Sequence, residues 1–363
     1  MVMRGCIARL YGARILASVL TAASPLMGHA SQNYQIFVSN EISGDVTIID
    51  GSDNRILGTI PVGKRPRGIH ASPDGKTVYV ALSGTPISGP PQLDAKGNPV
   101  FEKGGDDDDE GTKSDKSADA IGVVDVAQRK LIRKISAGSD PEEFSLSKDG
   151  TKLYASNEDV KTASVIDIAS GKVQQIIIVG QEPEGVATQP DGSRFYVTCE
   201  AGGDIYVIDT AAYRTVGHFK VSPRPRSMDF LPGTAIGFIP SESAGELNVI
   251  DTEGLKVLKT IALPAGSRPM KVKVASDGRK VYVSNGRAAT VSVLDSRTYD
   301  LLNTIKVGAR PWGIALSPDG RFLYTANGPS NDVSVVDVAA NKEIARVKAG
   351  TGPWGVAVVA NAP

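Results

Sequence analysis

The sequence is poor in the residues that form disulfides and metal sites. Two cysteines and three histidines occur in 363 residues. Cys6 lies in a segment that we predict is removed on export, so Cys199 has no partner for an intramolecular disulfide. Only His70 and His218 then remain, which excludes a histidine-rich metal site within one chain. A Cys-x-x-Cys-His motif is also absent, which excludes a covalently attached c-type haem.

The chain has no excess of either charge. Lysine plus arginine and aspartate plus glutamate number 40 each. The first thirty residues contain three of the arginines and none of the acids, so residues 31–363 carry 37 basic and 40 acidic side chains, a net charge of −3. A protein with this balance has no overall attraction to nucleic acid or anionic lipid, although a local basic patch is compatible with it.

Long hydrophobic runs are absent after residue 30. Before it, three arginines accompany an uncharged, mostly apolar stretch over residues 15–27, and Gly28-His29-Ala30 places small residues where a signal peptidase cuts. We predict that residues 1–30 are a signal peptide cleaved after Ala30, and that the remainder is exported to the periplasm. The apolar stretch is short for a membrane span, so an uncleaved anchor is the weaker alternative.

What the sequence does contain is one unit of 42 residues repeated seven times. Aspartates that end an apolar strand recur with gaps of 75, 42, 42, 42, 44 and 42 residues, and prolines recur with the same gaps. Aromatic residues follow the same period, offset by one step. The 75-residue gap is one unit with an insert of 33 residues. The markers are Asp50, Asp125, Asp167, Asp209, Asp251, Asp295 and Asp337; Pro66, Pro141, Pro183, Pro225, Pro269, Pro311 and Pro353; and Phe37, Tyr79, Tyr154, Tyr196, Phe238, Tyr282 and Tyr324.

Each unit has the pattern of four short strands. In residues 311–350, alternation and β-branched residues predict strands over 312–317, 322–326, 333–337 and 343–348. The tetrapeptide Ser317-Pro318-Asp319-Gly320 predicts a hairpin turn between the first two. Four-stranded antiparallel units repeated seven times predict an all-β fold, a seven-bladed β-propeller over residues 31–363.

The two ends of the repeat array predict how the ring closes. The array starts with a second strand over residues 35–39 and ends with an isolated first strand over residues 354–359. We therefore expect the C-terminal strand to pair with the N-terminal strands in one composite blade, which closes the ring without a covalent bond.

The loops that carry the marker prolines should ring the mouth of the central channel, on the face that we call the top. Around this ring the charges predict an acidic arc and a larger basic arc with two tryptophans. One interpretation is an anion site on the basic arc, with tryptophan as a stacking or cation–π wall. The other is that these charges are solvated or paired across the two arcs. The predicted ligand-binding residues are Arg65, Arg67, Glu142, Glu184, Arg224, Arg226, Arg268, Arg310, Trp312 and Trp354.

Two further features fall on the same face. Asparagines end four of the second strands, and we expect them to bond turn backbone: Asn40, Asn157, Asn285 and Asn327. The insert of the second repeat, over residues 84–118, is predicted to be disordered. Its acidic run is a weak candidate for a divalent metal such as Ca²⁺, because the spaced ligand pattern of a dedicated calcium loop is missing. It could instead dock on a basic partner or fold over the arginine arc. The aspartates of this run are Asp106, Asp107, Asp108 and Asp109.

Several repeat motifs resemble those of a known family. They include Val281-Tyr282-Val283-Ser284-Asn285, Pro311-Trp312-Gly313-Ile314 and Val333-Ser334-Val335-Val336-Asp337. Over residues 34–360 the chain resembles the YVTN-repeat β-propeller family. Its size, export signal and insert are similar to those of periplasmic propellers associated with PQQ-dependent alcohol catabolism. No histidine lies where a d1-haem ligand is expected at the mouth, and we assemble no Ser-His-Asp arrangement.

Three functions are compatible with the sequence. The first, implied by the resemblance, is a non-catalytic periplasmic binding or accessory protein that works beside a quinoprotein dehydrogenase or a cytochrome c and takes a small anionic ligand. The second is a lactonase or lyase that uses the acidic arc with a divalent metal. The third is single-stranded nucleic acid binding through the tryptophans and arginines, against which the net charge argues. The repeat leaves the ligand and the oligomeric state open, because a propeller does not determine its function.

Overall fold

The computed structural model describes Met1, residues 33–87 and residues 114–360. The predicted signal peptide, most of the insert and its candidate metal ligands Asp106, Asp107, Asp108 and Asp109 lie outside the described residues. In the part that is described, no helix is long and apolar enough to cross a membrane.

The described residues form seven sheets of four antiparallel strands, which we number as blades 1 to 7. Blade 1 contains β1 (Tyr34–Asn40), β2 (Asp45–Asp50), β3 (Ile56–Pro61) and β28 (Pro353–Ala360). Blade 2 contains β4 (Ile69–Ala71), β5 (Thr77–Leu82), β6 (Ala120–Asp125) and β7 (Lys130–Ile135). Blade 3 contains β8 (Pro141–Leu146), β9 (Lys152–Asn157), β10 (Thr162–Asp167) and β11 (Lys172–Ile178). Blade 4 contains β12 (Pro183–Thr188), β13 (Arg194–Cys199), β14 (Asp204–Asp209) and β15 (Arg214–Lys220).

The last three blades follow the same order. Blade 5 contains β16 (Asp229–Phe230), β17 (Ile236–Ser241), β18 (Glu246–Asp251) and β19 (Lys256–Ala262). Blade 6 contains β20 (Pro269–Val274), β21 (Lys280–Asn285), β22 (Thr290–Asp295) and β23 (Leu301–Lys306). Blade 7 contains β24 (Pro311–Leu316), β25 (Phe322–Asn327), β26 (Asp332–Asp337) and β27 (Lys342–Lys348). The predicted seven-bladed propeller is therefore confirmed, and the strands predicted in residues 311–350 are correct to within one residue at their ends.

The ring closes as predicted. Strand β28 pairs antiparallel with β1 over its whole length, from Tyr34 opposite Ala360 to Asn40 opposite Pro353. The hydroxyl oxygens of Tyr34 and Tyr324 lie 2.6 Å apart and join blade 1 to blade 7. The first and last strands of the repeat array thus hold one blade together without a covalent bond, by hydrogen bonds and by packing of buried side chains.

The hydrophobic core lies between neighbouring blades. The aromatic markers of the second strands are all at most 5% exposed, and they pack against the next sheet. For example, the Tyr154 ring of blade 3 stacks on the Phe195 ring of blade 4, with centroids 4.2 Å apart and planes 4° from parallel. Such a pair contributes about 1 kcal/mol beyond its buried area. The one free cysteine of the described residues, Cys199, is part of this core, and burial raises its pKa to about 12.

At three of the blade boundaries, a serine hydroxyl of a second strand connects one blade to the next. Ser39 donates to the Arg67 carbonyl oxygen at 2.6 Å, Ser156 to that of Glu184 at 2.7 Å, and Ser284 to that of Trp312 at 2.7 Å. These carbonyls belong to the chain that enters the innermost strand of the following blade. The hydroxyls therefore fix the backbone on which the channel-lining side chains are carried.

Of the two predictions for polar positions near turns, the one for the hairpin turn at residues 317–320 is confirmed. Ser317 accepts from the Gly320 amide through its carbonyl oxygen at 2.9 Å, and Gly320 has a φ of +70°, as the hairpin turn requires. The prediction for the strand-end asparagines was wrong about their partners. Asn157 donates not to turn backbone but to the side chains of Thr162 and Ser164 on the next strand, at 3.1 and 2.8 Å. Asn40, Asn285 and Asn327 repeat this pattern.

The insert leaves and re-enters blade 2 at a single point. The Asp115 amide donates to the Gly84 carbonyl oxygen at 2.9 Å, and the Gly84 amide donates to the Asp119 carboxylate at 2.7 Å. A Cβ atom on Gly84 would lie 1.8 Å from the Asp115 carbonyl oxygen, so only glycine fits there.

Candidate functional site

The residue before each marker proline has an unusual backbone. Six of these seven residues are charged and have a φ between +40° and +58°, while the seventh is Gly352 at +69°. A left-handed conformation costs a residue with a Cβ roughly 1 kcal/mol. Five of the six side chains line the channel mouth on the top face, and Arg268 does not. The six are Arg65, Asp140, Glu182, Arg224, Arg268 and Arg310.

Just after the proline, the innermost strand bulges. In blade 3, Pro141 pairs with Asn157 and Phe144 pairs with Ala155, so three steps on β8 oppose two steps on β9. The same shift occurs in β12, β20 and β24. A β-bulge changes the direction in which the side chains of the strand point. Here it allows the consecutive residues Glu142 and Glu143 both to lie buried against the channel.

The first residue after the second strand forms the other half of the mouth. In blades 1, 3, 4 and 5 its amide donates to the carbonyl oxygen of the residue before the marker proline, at 2.8 to 3.2 Å. Sequence reasoning missed these four residues, although they directly follow strand ends that it had placed on the top face. They are Glu41, Glu158, Glu200 and Glu242.

Together these loops line a funnel of about 900 Å³ on the top face. Eight of the ten predicted ligand-binding residues lie in its wall. Glu184 lies below, at a constriction of about 10 Å³, and Arg268 belongs to neither lining but lies 3.4 Å from the Ser243 hydroxyl. The eight are Arg65, Arg67, Glu142, Arg224, Arg226, Arg310, Trp312 and Trp354.

On one side of the funnel, a single guanidinium is surrounded by three carboxylates. Arg67, only 3% exposed, lies 2.5 Å from Asp140, 3.0 Å from Glu142 and 3.7 Å from Glu158. Burial opposes ionisation of Glu142, but Arg67, a hydrogen bond with Glu158, and the Arg226 and Arg65 guanidiniums together lower its pKa to about 2. Burial, and then the Glu142 carboxylate, raise the pKa of Glu158 well above its ordinary value. Three carboxylates thus share one cation, and Glu158 binds a proton more tightly than Glu142 does.

Between blades 4 and 5, two arginines hold three glutamates. Arg226 lies 2.6 Å from Glu184 and also pairs closely with Glu200. Arg224 lies 2.5 Å from Glu200, and Glu242 lies 3.6 Å from both arginines. Elsewhere on the rim, Arg65 lies 3.1 Å from Glu41 and donates to the Thr85 and Pro86 carbonyl oxygens. The two predicted arcs are therefore largely neutralised by ion pairs within or between adjacent blades.

An ion pair that crosses the channel lies in the lining of the constriction of about 10 Å³, which we call the floor of the funnel. Lys271 of blade 6 reaches the Glu143 carboxylate of blade 3, which also accepts a hydrogen bond from His70 at 2.7 Å. Burial opposes ionisation of Glu143, but Lys271 and then His70 lower its pKa to about 2. The two histidines of the propeller have structural partners, since His218 stacks on Tyr206 with centroids 5.6 Å apart.

The two tryptophans stand beside this floor. The Trp312 and Trp354 rings stack with centroids 5.7 Å apart and planes 24° from parallel. The Arg310 and Arg226 guanidiniums lie 4.8 and 5.3 Å from the Trp312 centroid, and Lys271 lies 5.5 Å from that of Trp354. The indole faces are thus largely covered by cations and by each other, which leaves the edges of these groups to meet a ligand.

The carboxylates predicted as metal ligands are engaged elsewhere. Glu142, Glu143 and Glu184 each face an arginine, a lysine or a histidine. Within residues 33–87 and 114–360, no group of three or more histidine, cysteine, aspartate or glutamate side chains is arranged to hold a metal ion.

Comparisons with known proteins agree with this architecture. The model of a family described as YNCE-like beta-propellers matches residues 231–363. Among curated proteins, none matches the chain. Of the solved structures, hydrazine synthase of Kuenenia stuttgartiensis is similar, with a TM-score of 0.68 and 21% identity over 84% of this chain and 92% of that one.

Two other solved structures are similar over nearly their whole length. The periplasmic gluconolactonase of Pseudomonas aeruginosa has a TM-score of 0.68 and 21% identity over 90% of this chain and 99% of that one. A functionally unknown protein of Desulfotomaculum acetoxidans has a TM-score of 0.72 and 14% identity over 90% and 98%. At these identities the likeness shows the propeller fold alone.

Proposed function

We propose that this protein is a periplasmic binding propeller that holds a small ligand in its top-face funnel and supports PQQ-dependent alcohol oxidation. In this role it works beside a quinoprotein dehydrogenase or a cytochrome c. The observation that carries the binding role is the shape of the funnel. A space of about 900 Å³ is lined by the top-face loops, and an adjoining cavity of about 10 Å³, lined in part by Lys271 and Glu143, shares Arg226, Trp312 and Trp354 with it. A concave space whose wall carries a few charged and aromatic groups suits the binding of a small ligand.

The charges of the wall support the same proposal. The acids that could act as general bases are held by cations, which lowers their basicity; Glu142 and Glu143 have a pKa of about 2. The association with alcohol oxidation rests on the resemblance of the repeats and on the predicted export signal.

A deletion strain tests the accessory role. We expect slow growth on alcohols as the carbon source, normal growth on a carbon source that needs no quinoprotein, and restoration by the wild-type gene. Normal growth on alcohols together with normal dehydrogenase activity in the deletion strain would refute the role.

Lactone hydrolysis is the second candidate, because one observation favours it. Glu158, whose pKa is raised well above its ordinary value, lies beside Glu142, whose pKa is lowered to about 2, and a general acid paired with a general base requires such a difference. Water would attack the lactone carbonyl carbon and give a proton to Glu142. Glu158 would protonate the leaving alkoxide as the ring ester C–O bond breaks, which yields the hydroxy acid. This candidate is second because a carboxylate with a pKa of about 2 is a weak base.

Hydrolysis of gluconolactone, followed with a pH indicator, tests this candidate. If it is right, Glu158→Gln lowers kcat by on the order of 100-fold. The control Glu253→Gln, at an exposed turn, should leave it unchanged. Hydrolysis no faster than in buffer would remove the candidate.

A further inference from the structure

One arginine of the funnel has no carboxylate partner. Among the residues that the structure describes, no acid lies within ion-pair distance of Arg310, and its partner is the Trp312 ring at 4.8 Å. By contrast, Arg65, Arg67, Arg224 and Arg226 each have at least one carboxylate within 3.1 Å.

The repeat explains why the acid is missing. In blade 5, Arg224 precedes the marker proline, and Glu242 after the second strand lies 3.6 Å from its guanidinium. The Glu242 amide also donates to the Arg224 carbonyl oxygen at 2.8 Å. In blade 7 the equivalent amide, which donates to the Arg310 carbonyl oxygen at 3.4 Å, belongs to Gly328. The position that supplies a carboxylate in blades 1, 3, 4 and 5 supplies none here.

The surroundings of the Arg310 guanidinium favour the binding of an anion beside it. Arg310 is half-buried in the funnel wall. Burial, together with the nearby Arg226 and Arg224, lowers the pKa of Arg310, and the Glu242 carboxylate only partly opposes this. Contact with the Trp312 face holds the guanidinium plane and leaves its N–H edge available, and that edge binds planar oxyanions in a bidentate manner.

The backbone conformation of Arg310 also supports a functional role for its side chain. Arg310 keeps a left-handed φ of +49°, where Gly352 of blade 1 shows that glycine fits the equivalent position. The side chain is thus present at a conformational cost.

We propose that Arg310, beside Trp312, is the oxyanion subsite of the funnel, and that the ligand supplies the carboxylate or phosphate that Gly328 does not. This deepens the proposed function and rests on it. The ligand is then a small molecule with one acidic group at the Arg310 end, and the rest of it lies in the remaining space of the funnel.

The protein carries its own reporter for this site. Its only two tryptophans are Trp312 and Trp354, so intrinsic fluorescence observes the subsite directly. The purified protein is titrated at constant ionic strength with gluconate, with inorganic phosphate and with sorbitol, the uncharged counterpart of gluconate. We expect a saturable change with gluconate, with phosphate or with both, and none with sorbitol. A response to only one anion identifies the acidic group as carboxylate or phosphate.

Three variants locate the effect. Arg310→Gly should weaken anion binding by on the order of tenfold or more while the melting temperature stays the same or rises, because glycine accommodates the backbone. Gly328→Glu should also block binding, since its carboxylate would restore the pairing of blade 5; a Cβ there meets its nearest neighbours at 3.6 Å. The control Arg321→Gln removes an arginine that lies over Phe322, with its guanidinium carbon 5.4 Å from the ring centroid and outside the funnel lining, and should bind as wild type.

Two results would overturn the subsite. Equal responses to sorbitol and gluconate would mean that the funnel binds without needing an anion, and the binding role would stand. Unchanged anion binding in Arg310→Gly, or no response of the wild type to either anion, would mean that the subsite does not exist. The accessory role is judged separately by growth of the deletion strain.

Discussion

Lys271 and Glu143 form an ion pair across the central channel, although two blades separate them on one side of the ring and three on the other. Glu143 is 3% exposed, so its charge depends on this partner and on His70. The pair therefore ties opposite sides of the propeller together at the floor of the funnel.

Removing the lysine should destabilise the ring. Lys271→Met leaves the buried Glu143 carboxylate with His70 alone, and we expect a loss of about 3 kcal/mol in the free energy of unfolding in urea at pH 7. Lys273→Met is the matched control, because Lys273, two residues along the same strand, pairs with Asp229 at 2.9 Å and is 43% exposed. It should cost less than about 1 kcal/mol. Equal effects of the two changes would contradict a special role of Lys271.

The lowered pKa values of the buried Glu142 and Glu143 carboxyls predict that the folded protein loses stability in acid. Glu142 and Glu143 have a pKa of about 2 in the folded protein, against an ordinary value of 4.5. Because the folded state holds them ionised, their contribution is full above pH 4.5 and is lost as the pH falls from about 4.5 to about 2. Each contributes on the order of 3 kcal/mol.

Urea unfolding at a series of pH values checks this expectation. Stability should fall steeply below pH 4.5, and Glu143→Gln should show a shallower fall over the same interval because one of the two groups no longer titrates. A wild-type stability that does not change between pH 5 and pH 3 would contradict it.

The fold could be predicted from the sequence because the same strand and turn pattern recurs seven times along the chain. Prolines, aspartates and aromatics in phase define each blade, and the unpaired first strand at the array's end requires a partner at its start. The ion pairs could not be predicted, since they depend on which rotamers reach across blade boundaries. Arg67 and Glu142 were identified as site residues, but their contact depends on the bulge after Pro141, which the sequence analysis did not predict.

Part of the site could have been predicted and was missed. Glu200 and Glu242 directly follow second strands whose ends had been placed on the top face. Counting along the repeat period, which identified Arg224 as a mouth residue, would also have placed Glu200 and Glu242 at the mouth, facing Arg224. Lys271 could not have been assigned to Glu143 in this way, because the period relates equivalent positions and not opposite sides of a ring.

Deletion of residues 352–363 tests the closure of the ring. The deletion removes β28, the innermost strand of blade 1, and exposes the β1 edge with the buried Ile36 and Val38. We expect loss of the cooperative melting transition seen by circular dichroism. Deletion of residues 361–363 alone keeps β28 and should melt as the full chain does. An unchanged transition in the longer deletion would show that blade 1 does not close the ring.

Removal of a serine hydroxyl that links two blades should lower the free energy of unfolding modestly. Ser156→Ala removes the hydrogen bond to the Glu184 carbonyl oxygen and the acceptor of the Glu143 amide, both buried. We expect a loss of about 1–2 kcal/mol in the free energy of unfolding. Ser170→Ala is the comparison, since this serine bonds Asp167 at an exposed turn, and its loss should be smaller. Equal losses would mean that the link between blades 3 and 4 does not depend on the hydroxyl.

The two described ends of the insert come together at the rim of the funnel. The Asp115 amide bonds the Gly84 carbonyl oxygen, and Lys64 and Arg65 hold the two sides of this contact. The four strands of blade 2 lie outside it. The entrance of the funnel is therefore shaped partly by residues that the repeat does not supply, so that related repeats could admit different ligands by changing this segment.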